Sequence, residues 1–410
     1  MYYGWYVLLV ASAAMVGTLP GRTQGLGLIT EPLLADLGIG RFAYAELNFW
    51  ATLIGAAGAI GVGQLVDRYG SRVVLTMVAL ALGLVVMAMS QAASIAGLAV
   101  SVTLTRALGQ SALSVVSLAM IGPWFVRKID TAMAIYSVTL SVGFMMAFPA
   151  VGTLVQLHGW RTAWLTIGVA LVVGLAPLAW AVVRRGPDVL SLQPDGGSTP
   201  TAAPSADNAA RHEFTWAQAL IEPSFWIFAV GTALYGLVAS GIGLFNESIM
   251  NQRGFGADVY YQTLVVTAMT ALAGNFAGGW LASHLSLTRL MGAALLVLAG
   301  GLIALPHVAT LAHVVAWATA MGLGGGLVMV LFFSVWPRVF GRRHLGRIQG
   351  TAQALTVVAS ALGPLLLAWC VEQTGSYAAM FRVLAGLIVV VALAALVVPL
   401  PSAARNRAAA

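Results

Sequence analysis

Runs of apolar residues, each close to the length needed to cross a bilayer, alternate with short polar stretches along the whole chain. A spanning helix takes about 20 predominantly apolar residues. Such runs lie near residues 5–29, 45–66, 73–92, 95–121, 131–156 and 162–183, and a second set near 223–249, 260–283, 290–305, 310–335, 346–370 and 377–399. The pattern predicts an all-α membrane protein with twelve transmembrane helices in two pseudo-symmetric six-helix bundles. One polar stretch is longer than the others. Residues 184–221 contain PDGGSTPTAAPSADNAARHE, and that density of Pro, Gly, Ser and Asp predicts a flexible linker. The expected organisation is an N-terminal bundle over 1–183, a cytoplasmic linker over 184–221, and a C-terminal bundle with a short tail over 222–410. The first run has no basic leader and is too long for the apolar core of a secretion signal, so it is expected to remain as the first span.

Composition agrees with lipid as the main solvent. Apolar residues make up 60% of the chain and charged ones 8%, against about a quarter charged in a soluble domain. One aqueous core could not bury so much apolar surface. The net charge of +7 would suggest nucleic acid in a soluble protein, but here the cations sit in loops. Arg68, Arg72, Arg127, Lys128, Arg184, Arg185, Arg211, Arg289, Arg338, Arg342, Arg343, Arg347, Arg405 and Arg407 fall on one side. Arg41, Arg161 and Arg253 fall on the other. Fourteen against three predicts cytoplasmic termini and linker, in a multi-pass protein of the cytoplasmic (inner) membrane with no nucleic-acid partner. The single cysteine, Cys370, excludes an internal disulfide and reads as a packing residue.

The two halves repeat each other. A shift of 216 residues aligns GLGLITEPLLADLGIG (25–40) with GIGLFNESIMNQRGFG (241–256), matching Gly25, Gly27, Leu28, Glu31, Gly38 and Gly40 with Gly241, Gly243, Leu244, Glu247, Gly254 and Gly256. A shift of 215 pairs Leu108-Gly109 with Leu323-Gly324, Phe125 with Phe340 and Pro149 with Pro364. Like-oriented halves with an even number of spans put a substrate site near mid-membrane.

After the second span comes GQLVDRYGSR (63–72). Gly63 and Gly70 permit close approach and a tight turn, while Asp67, Arg68 and Arg72 can lock neighbouring helix ends through charge-assisted bonds. The second half has GWLASHLSLTR (279–289), with Ser283 and His284 in place of Asp-Arg. The loop resembles the cytoplasmic loop motif of the major facilitator superfamily. TLTRALGQSALS (103–114), SVGFMMAFPAVG (141–152), GWRTAW (159–164) and FGRRHLGRIQG (340–350) extend that resemblance over essentially the whole chain. It implies secondary transport by alternating access, with residues 63–72 governing the conformational change. GWYVLLVA near the start, and WFVRK (124–128) beside FGRRHLG, look like the monocarboxylate and oxalate/formate branch. The cation that this branch carries in its first helix is matched by Arg22. The eighth span has no charge and the eleventh no lysine, which counts against a dicarboxylate.

Arg22 and Arg106 are the two charges placed well inside the hydrocarbon, where an arginine costs about 2.5–3.5 kcal/mol on insertion scales and normally faces a cavity or a partner. Their second-half counterparts are Val238 and Met321. All thirteen acids fall at helix ends or in loops, so the interior is positive and suits a small organic anion. Arg22 and Arg106 are therefore candidate substrate ligands, though Arg106 also fits a residue that merely bridges helices by bonding carbonyls. Gln110, one turn from Arg106, shares its face. Thr23, Gln24, Tyr136, Tyr235, Asn275 and Gln353 are further candidates, each also compatible with helix-to-helix bonding. Gly322, Gly324, Gly325 and Gly326 read as close helix contacts, not as a phosphate loop. No His/Cys/Asp cluster has metal-ligand spacing and no nucleophile-base arrangement is legible, so neither metal, cofactor nor catalysis is expected.

The expected function is transport of a small organic anion, a monocarboxylate on the branch resemblance, by a monomer in the lipid bilayer. Proton symport is what the branch resemblance implies; the sequence supplies no mid-membrane carboxylate or histidine as carrier, so a proton would enter with the substrate or use Glu31 or Glu247. Efflux of hydrophobic compounds is the alternative transport reading, lowered by the lack of a buried acid in the first half. A non-transporting sensor or scaffold would need a folded regulatory domain, for which linker and tail are too short and polar.

Overall fold

The computed structural model describes residues 2–58, 61–126, 128–196, 214–341 and 344–401, without the side chains of 58, 63, 67, 130, 345 and 346. Arg127, Arg211, Arg342, Arg343, Arg405 and Arg407 of the charge reading lie outside the described residues, as does the Asp67 side chain. The chain divides into two compact units, Met1–Pro200 with Gly243–Glu247, and Thr201–Ile242 with Ser248–Ala410.

In the first unit α1 (Tyr3–Val16) is built from VLLVASAAMV and stops as the chain enters Gly17, Pro20 and Gly21. A 3₁₀ turn Leu19–Gly21 follows, Arg22 is extended (φ −89, ψ 151), and helix resumes over Thr23–Gly27 and Thr30–Leu37. The expected continuous span over 5–29 is therefore a broken helix. Proline holds its φ and lacks an N–H, so Pro20 serves the turn and not an α-helical interior. Gly25 is needed because a Cβ there would overlap the Leu19 carbonyl oxygen.

Next come α2 (Arg41–Gly58), continued by Val62–Tyr69, and α3 (Ser71–Ser90). Gly70, at φ 81, makes the turn between them. The fourth span begins as α4 (Ile95–Thr105), capped by Ser94, and runs through a π-helical stretch Arg106–Leu113 into Ser114–Ala119. The helical run Ile129–Val169 breaks at Gly159 (φ 80, ψ 162) into α5 (129–158) and α6 (160–182).

The second unit holds α7 (Pro223–Gln252), α8 (Ala257–His284), α9 (Leu287–Ala304), α10 (Leu311–Val339), α11 (Leu345–Thr374) and α12 (Ala378–Val397). Its glycine run does the packing expected of it, in three directions. A Cβ on Gly322 or Gly326 would collide with the α8 backbone near Thr267 and Ala271. One on Gly324 would press on Ala294 of α9, and one on Gly325 on the Tyr235 ring of α7.

Nine helical runs among the described residues are long and apolar enough to cross a membrane, and one of them, Thr131–Val182, holds both α5 and α6. The second span, described over Arg41–Gly58 and Val62–Tyr69, and the fourth, with its π-helical stretch, complete the twelve. Leu157, Val173, Trp280 and Val390 stand exposed at 72%, 70%, 65% and 66%. Such side chains belong against lipid.

The internal repeat extends to the backbone. Gly38 and Gly254, 216 residues apart, have φ 62 and 83, and Gly159 and Gly375, also 216 apart, have 80 and 72. Ile29 (φ −116, ψ 0) and Phe245 (φ −114, ψ 16) interrupt the first and seventh helices at the same aligned position.

The expected flexible linker is folded at both ends. Residues Pro187–Leu190 and Pro194–Gly196 form 3₁₀ turns, and the Asp195 carboxylate accepts from the Val126 and Lys128 amides at 3.2 and 3.1 Å. Trp216–Ile221 is a helix with a Thr215/Gln218 capping box. Local capping and a carboxylate anchoring the 124–128 loop outweigh the polar composition there; residues 197–213 lie outside the described ones.

Candidate functional site

The break in the first helix lies against the end of α4 and the π-helical stretch that follows it, with α5 beside Arg22 and α2 reached through the Arg106 side chain. Arg22 stands at the break, half-buried. Its Nε donates to Thr18 Oγ1 at 2.6 Å and its Nη2 to Met15 Sδ at 2.9 Å. The guanidinium carbon lies 5.3 Å from the centre of the Phe144 ring, which stacks on Phe148. Tyr136 is its electrostatic neighbour. The Ser117 hydroxyl donates to Ala11 O at 2.8 Å, so across the 2.9 Å Ser117–Tyr136 contact the phenol is the donor. The lone pairs of Tyr136 remain for another partner.

Arg106 is 2% exposed. Its Nη1 donates to Thr23 Oγ1 and Gln110 Oε1, both at 2.8 Å, with the Gly21 carbonyl at 3.4 Å. Its Nη2 donates to Asn48 Oδ1 at 2.9 Å, while Asn48 Nδ2 donates to Tyr44 O. Neither arginine pairs with a carboxylate among the described residues; the ion pairs there are Arg41–Glu31 and Arg161–Asp36.

Of the nominated residues, the fold brings Thr23, Arg106 and Gln110 into one bonded cluster and sets Arg22 beside Tyr136. Gln24 is half-buried with no side-chain hydrogen bond among the described residues. Tyr235, Asn275 and Gln353 lie on α7, α8 and α11, and no bond links them among the described residues. A cleft of about 510 Å³ between α9 and α10, lined by Gly300, Ala304, His307, His313 and Trp317, contains none of the nominated residues. Glu31 is held by Arg41 in a two-point pair, at 3.3 and 2.5 Å. Glu247 has one carboxylate oxygen buried without a hydrogen-bond partner among the described residues.

In the 63–72 loop, the Arg72 guanidinium lies 4.1 Å from the Trp180 ring centre, and its Nε donates to Trp180 O at 2.7 Å, joining α3 to the end of α6. Arg68 lies over Tyr69. Gly70 is flanked by the Arg185 side chain. Gly63 and Asp67 are outside the described side chains. The second-half counterparts of Asp67 and Arg68 turn inward on their own helix, Ser283 Oγ donating to Trp280 O and the His284 ring lying tilted against the Trp280 ring.

Sequence reasoning missed Asn48, Thr18, Met15, Phe144 and Asp36. Asn48 carried a signal, since an amide within an apolar run must find a partner. Thr18 and Met15 look like ordinary span residues. Asp36 accepts from Trp160 Nε1 and Arg161 Nε at 3.1 and 2.9 Å, a link over a distance in sequence that no local pattern announces. Among the described residues no group of His, Cys, Asp and Glu could hold a metal.

The fold is that of a polytopic helical membrane protein with a broken first helix and, at the break, an arginine that has no carboxylate partner among the described residues. The family model of the Major Facilitator Superfamily matches residues 3–311 and 228–410, and the chain belongs to that superfamily. It is therefore a multi-pass membrane transporter of small molecules and not an enzyme. Monocarboxylate transporter 11 of Mus musculus is 29% identical over 405 residues, covering 93% of this chain and 84% of that protein. A probable nitrate/nitrite transporter, NarK2, of Mycobacterium tuberculosis is 28% identical over 354 residues, covering 82% and 81%. Among solved structures, a bacterial homologue of the human lysosomal transporter Spinster, inward-facing and unoccupied, superposes with a TM-score of 0.70 at 15% identity over 96% of this chain and 95% of that one.

Proposed function

We propose that the protein transports a small organic anion, a monocarboxylate, by alternating access across the cytoplasmic membrane, with Arg22 as the ligand for the carboxylate. The observation that carries this reading is how Arg22 is held. Thr18 and Met15 take Nε and one hydrogen of Nη2, which orients the guanidinium plane. The end-on edge, formed by Nη1 and the second Nη2 hydrogen, has no protein acceptor among the described residues. A carboxylate binds such an edge through two parallel hydrogen bonds. Tyr136 offers a further polar contact, and Phe144 with the Met15 thioether gives the anion an apolar flank. That flank suits an organic acid better than nitrate, the class named for one relative.

A proton as co-substrate belongs to the same reading. Of the two candidate carriers Glu247 is favoured, because Glu31 is tied to Arg41 while a Glu247 oxygen is buried without a bond among the described residues. Cytoplasmic termini, a monomeric state, the 1–183, 184–221 and 222–410 boundaries, and conformational control by Gly63, Asp67, Arg68, Gly70 and Arg72 complete the proposal.

The test is ligand stabilisation of purified protein by a panel of monocarboxylates and nitrate, since a ligand that binds only the folded state raises its melting temperature. Arg22→Lys should weaken the carboxylate response and Arg22→Gln should reduce affinity about ten- to a hundred-fold, as loss of charge-assisted bonds of roughly 1.5–3 kcal/mol requires. A folded Arg22→Gln protein with the wild-type response would remove Arg22 from the site.

A further inference from the structure

We infer that Arg106 is a positioning residue for this site: it holds the break of the first helix against α2 and the π-helical stretch after α4, and so sets where Arg22 points. The inference rests on the reading of Arg22 as the anion ligand. Arg106 Nη1 grips the residues on either side of Arg22, the Gly21 carbonyl at 3.4 Å and the Thr23 hydroxyl at 2.8 Å. Nη2 is anchored on Asn48, whose amide orientation is set by its own bond to Tyr44 O. The remaining donor, Nε, is buried without a hydrogen-bond partner among the described residues, so no edge of this guanidinium faces a solute.

The backbones are equally close. A Cβ on Gly21 would overlap Thr105 O and lie 2.9 Å from Gln110 N, and one on Gly55 would lie 2.8 Å from Arg106 Cβ. The π-helical stretch begins at Arg106 itself, and π turns are rare departures that often mark functional places.

The second half supplies an internal control. Val238 and Met321 occupy the positions aligned with Arg22 and Arg106. There α7 runs unbroken through 238, and α10 stays α-helical through 321–328. Break, π turn and buried arginine occur together around Arg22 and Arg106 and are absent together at the aligned positions around Val238 and Met321. A helix broken only by Pro20 would need no partner, so their joint occurrence assigns the arginine to the break.

The test uses the full chain in detergent or nanodiscs, with Arg106→Gln, Arg106→Lys and Thr23→Val. Thr23→Val removes an acceptor while leaving charge and shape nearly intact, and it serves if the Arg106 variants fold poorly. Hydrogen exchange at the amides of 21, 22 and 26, which close the turns around the break, should rise about ten-fold or more in Arg106→Gln, with exchange in α8–α12 unchanged. Modification of the Arg22 guanidinium by phenylglyoxal should change rate in step, and Lys at 106 should not restore it, because an ammonium cannot reach Gly21, Thr23 and Asn48 as a planar fork does. Wild-type exchange and Arg22 reactivity in both Arg106→Gln and Thr23→Val would overturn the inference.

In the carboxylate assay, Arg22→Gln/Arg106→Gln should bind no worse than Arg22→Gln alone, within about two-fold, because a positioning effect vanishes with the group positioned. Additive losses would make Arg106 a direct ligand and refute the assignment. Raised exchange in Arg106→Gln together with a wild-type anion response in Arg22→Gln would keep the clamp and discard the Arg22 reading.

Discussion

Gly21→Ala probes the contact on which the proposed site depends. The added methyl would overlap the Thr105 carbonyl oxygen and lie 2.9 Å from Gln110 N and 3.1 Å from Gly109 Cα. All three are backbone atoms, so no side chain can rotate away. The two segments must part by about 1 Å to restore tolerable van der Waals contact. Overpacking of this kind costs about 1–3 kcal/mol. Parting also stretches the 2.8 Å bond from Arg106 to Thr23, and weakening a charge-assisted bond adds roughly 1.5–3 kcal/mol. The expected destabilisation is about 2.5–6 kcal/mol, read as a melting temperature lower by roughly 3–7 °C in detergent. Gly386→Ala is the control, because a Cβ there meets nothing within 4 Å, and replacing a helical glycine in open space should be neutral or stabilise by about 0.5–1 kcal/mol. The assay is thermal unfolding of matched preparations. A Gly21→Ala protein as stable as wild type would refute the close docking of the break and, with it, the structural basis for presenting Arg22.

Arg72→Ala should destabilise by about 1 kcal/mol through lost stacking on Trp180 and the bond to its carbonyl, the exposed setting discounting both. Arg72→Lys should recover less than half, measured by the same unfolding assay. A cysteine placed in the 197–210 stretch should react with a membrane-impermeant thiol reagent only after cells are opened, as the fourteen-to-three loop bias requires; labelling of intact cells would reverse the proposed orientation.

The spans were legible because lipid imposes a length and a composition on each helix, and those survive in any local window of sequence. The broken first helix was not, although Pro20, Gly21 and Gly25 were all in view. Within an apolar run a Pro/Gly cluster can be absorbed by neighbours, and what makes this one a break is tertiary. The residues that would reveal it, Asn48 and Arg106, lie 26 and 84 positions from Arg22 (48 − 22 and 106 − 22). The linker shows the opposite case at its described ends. Its composition predicts flexibility, yet Asp195 accepts from the Val126 and Lys128 amides and Thr215 caps a helix. Single well-placed side chains outweighed the average over the window.

The two intramembrane arginines illustrate the same limit more sharply. From sequence they are equivalent, each a lone cation in an apolar run, and both invite the same role. Their surroundings divide that role. Arg106 is 2% exposed, with both terminal nitrogens engaged by the protein; Arg22 is half-buried and, among the described residues, held on one edge. A buried cation without a carboxylate is tolerable only where enough neutral oxygens replace its water, and Thr23, Gln110, Gly21 and Asn48 do so for Arg106. At Arg22 the set is shorter, a hydroxyl and a weakly accepting thioether, with an aromatic face beneath. An incompletely solvated guanidinium stabilises whatever anion completes its shell, so the shortfall at Arg22, rather than its charge alone, is what makes it the better candidate to bind and release a substrate.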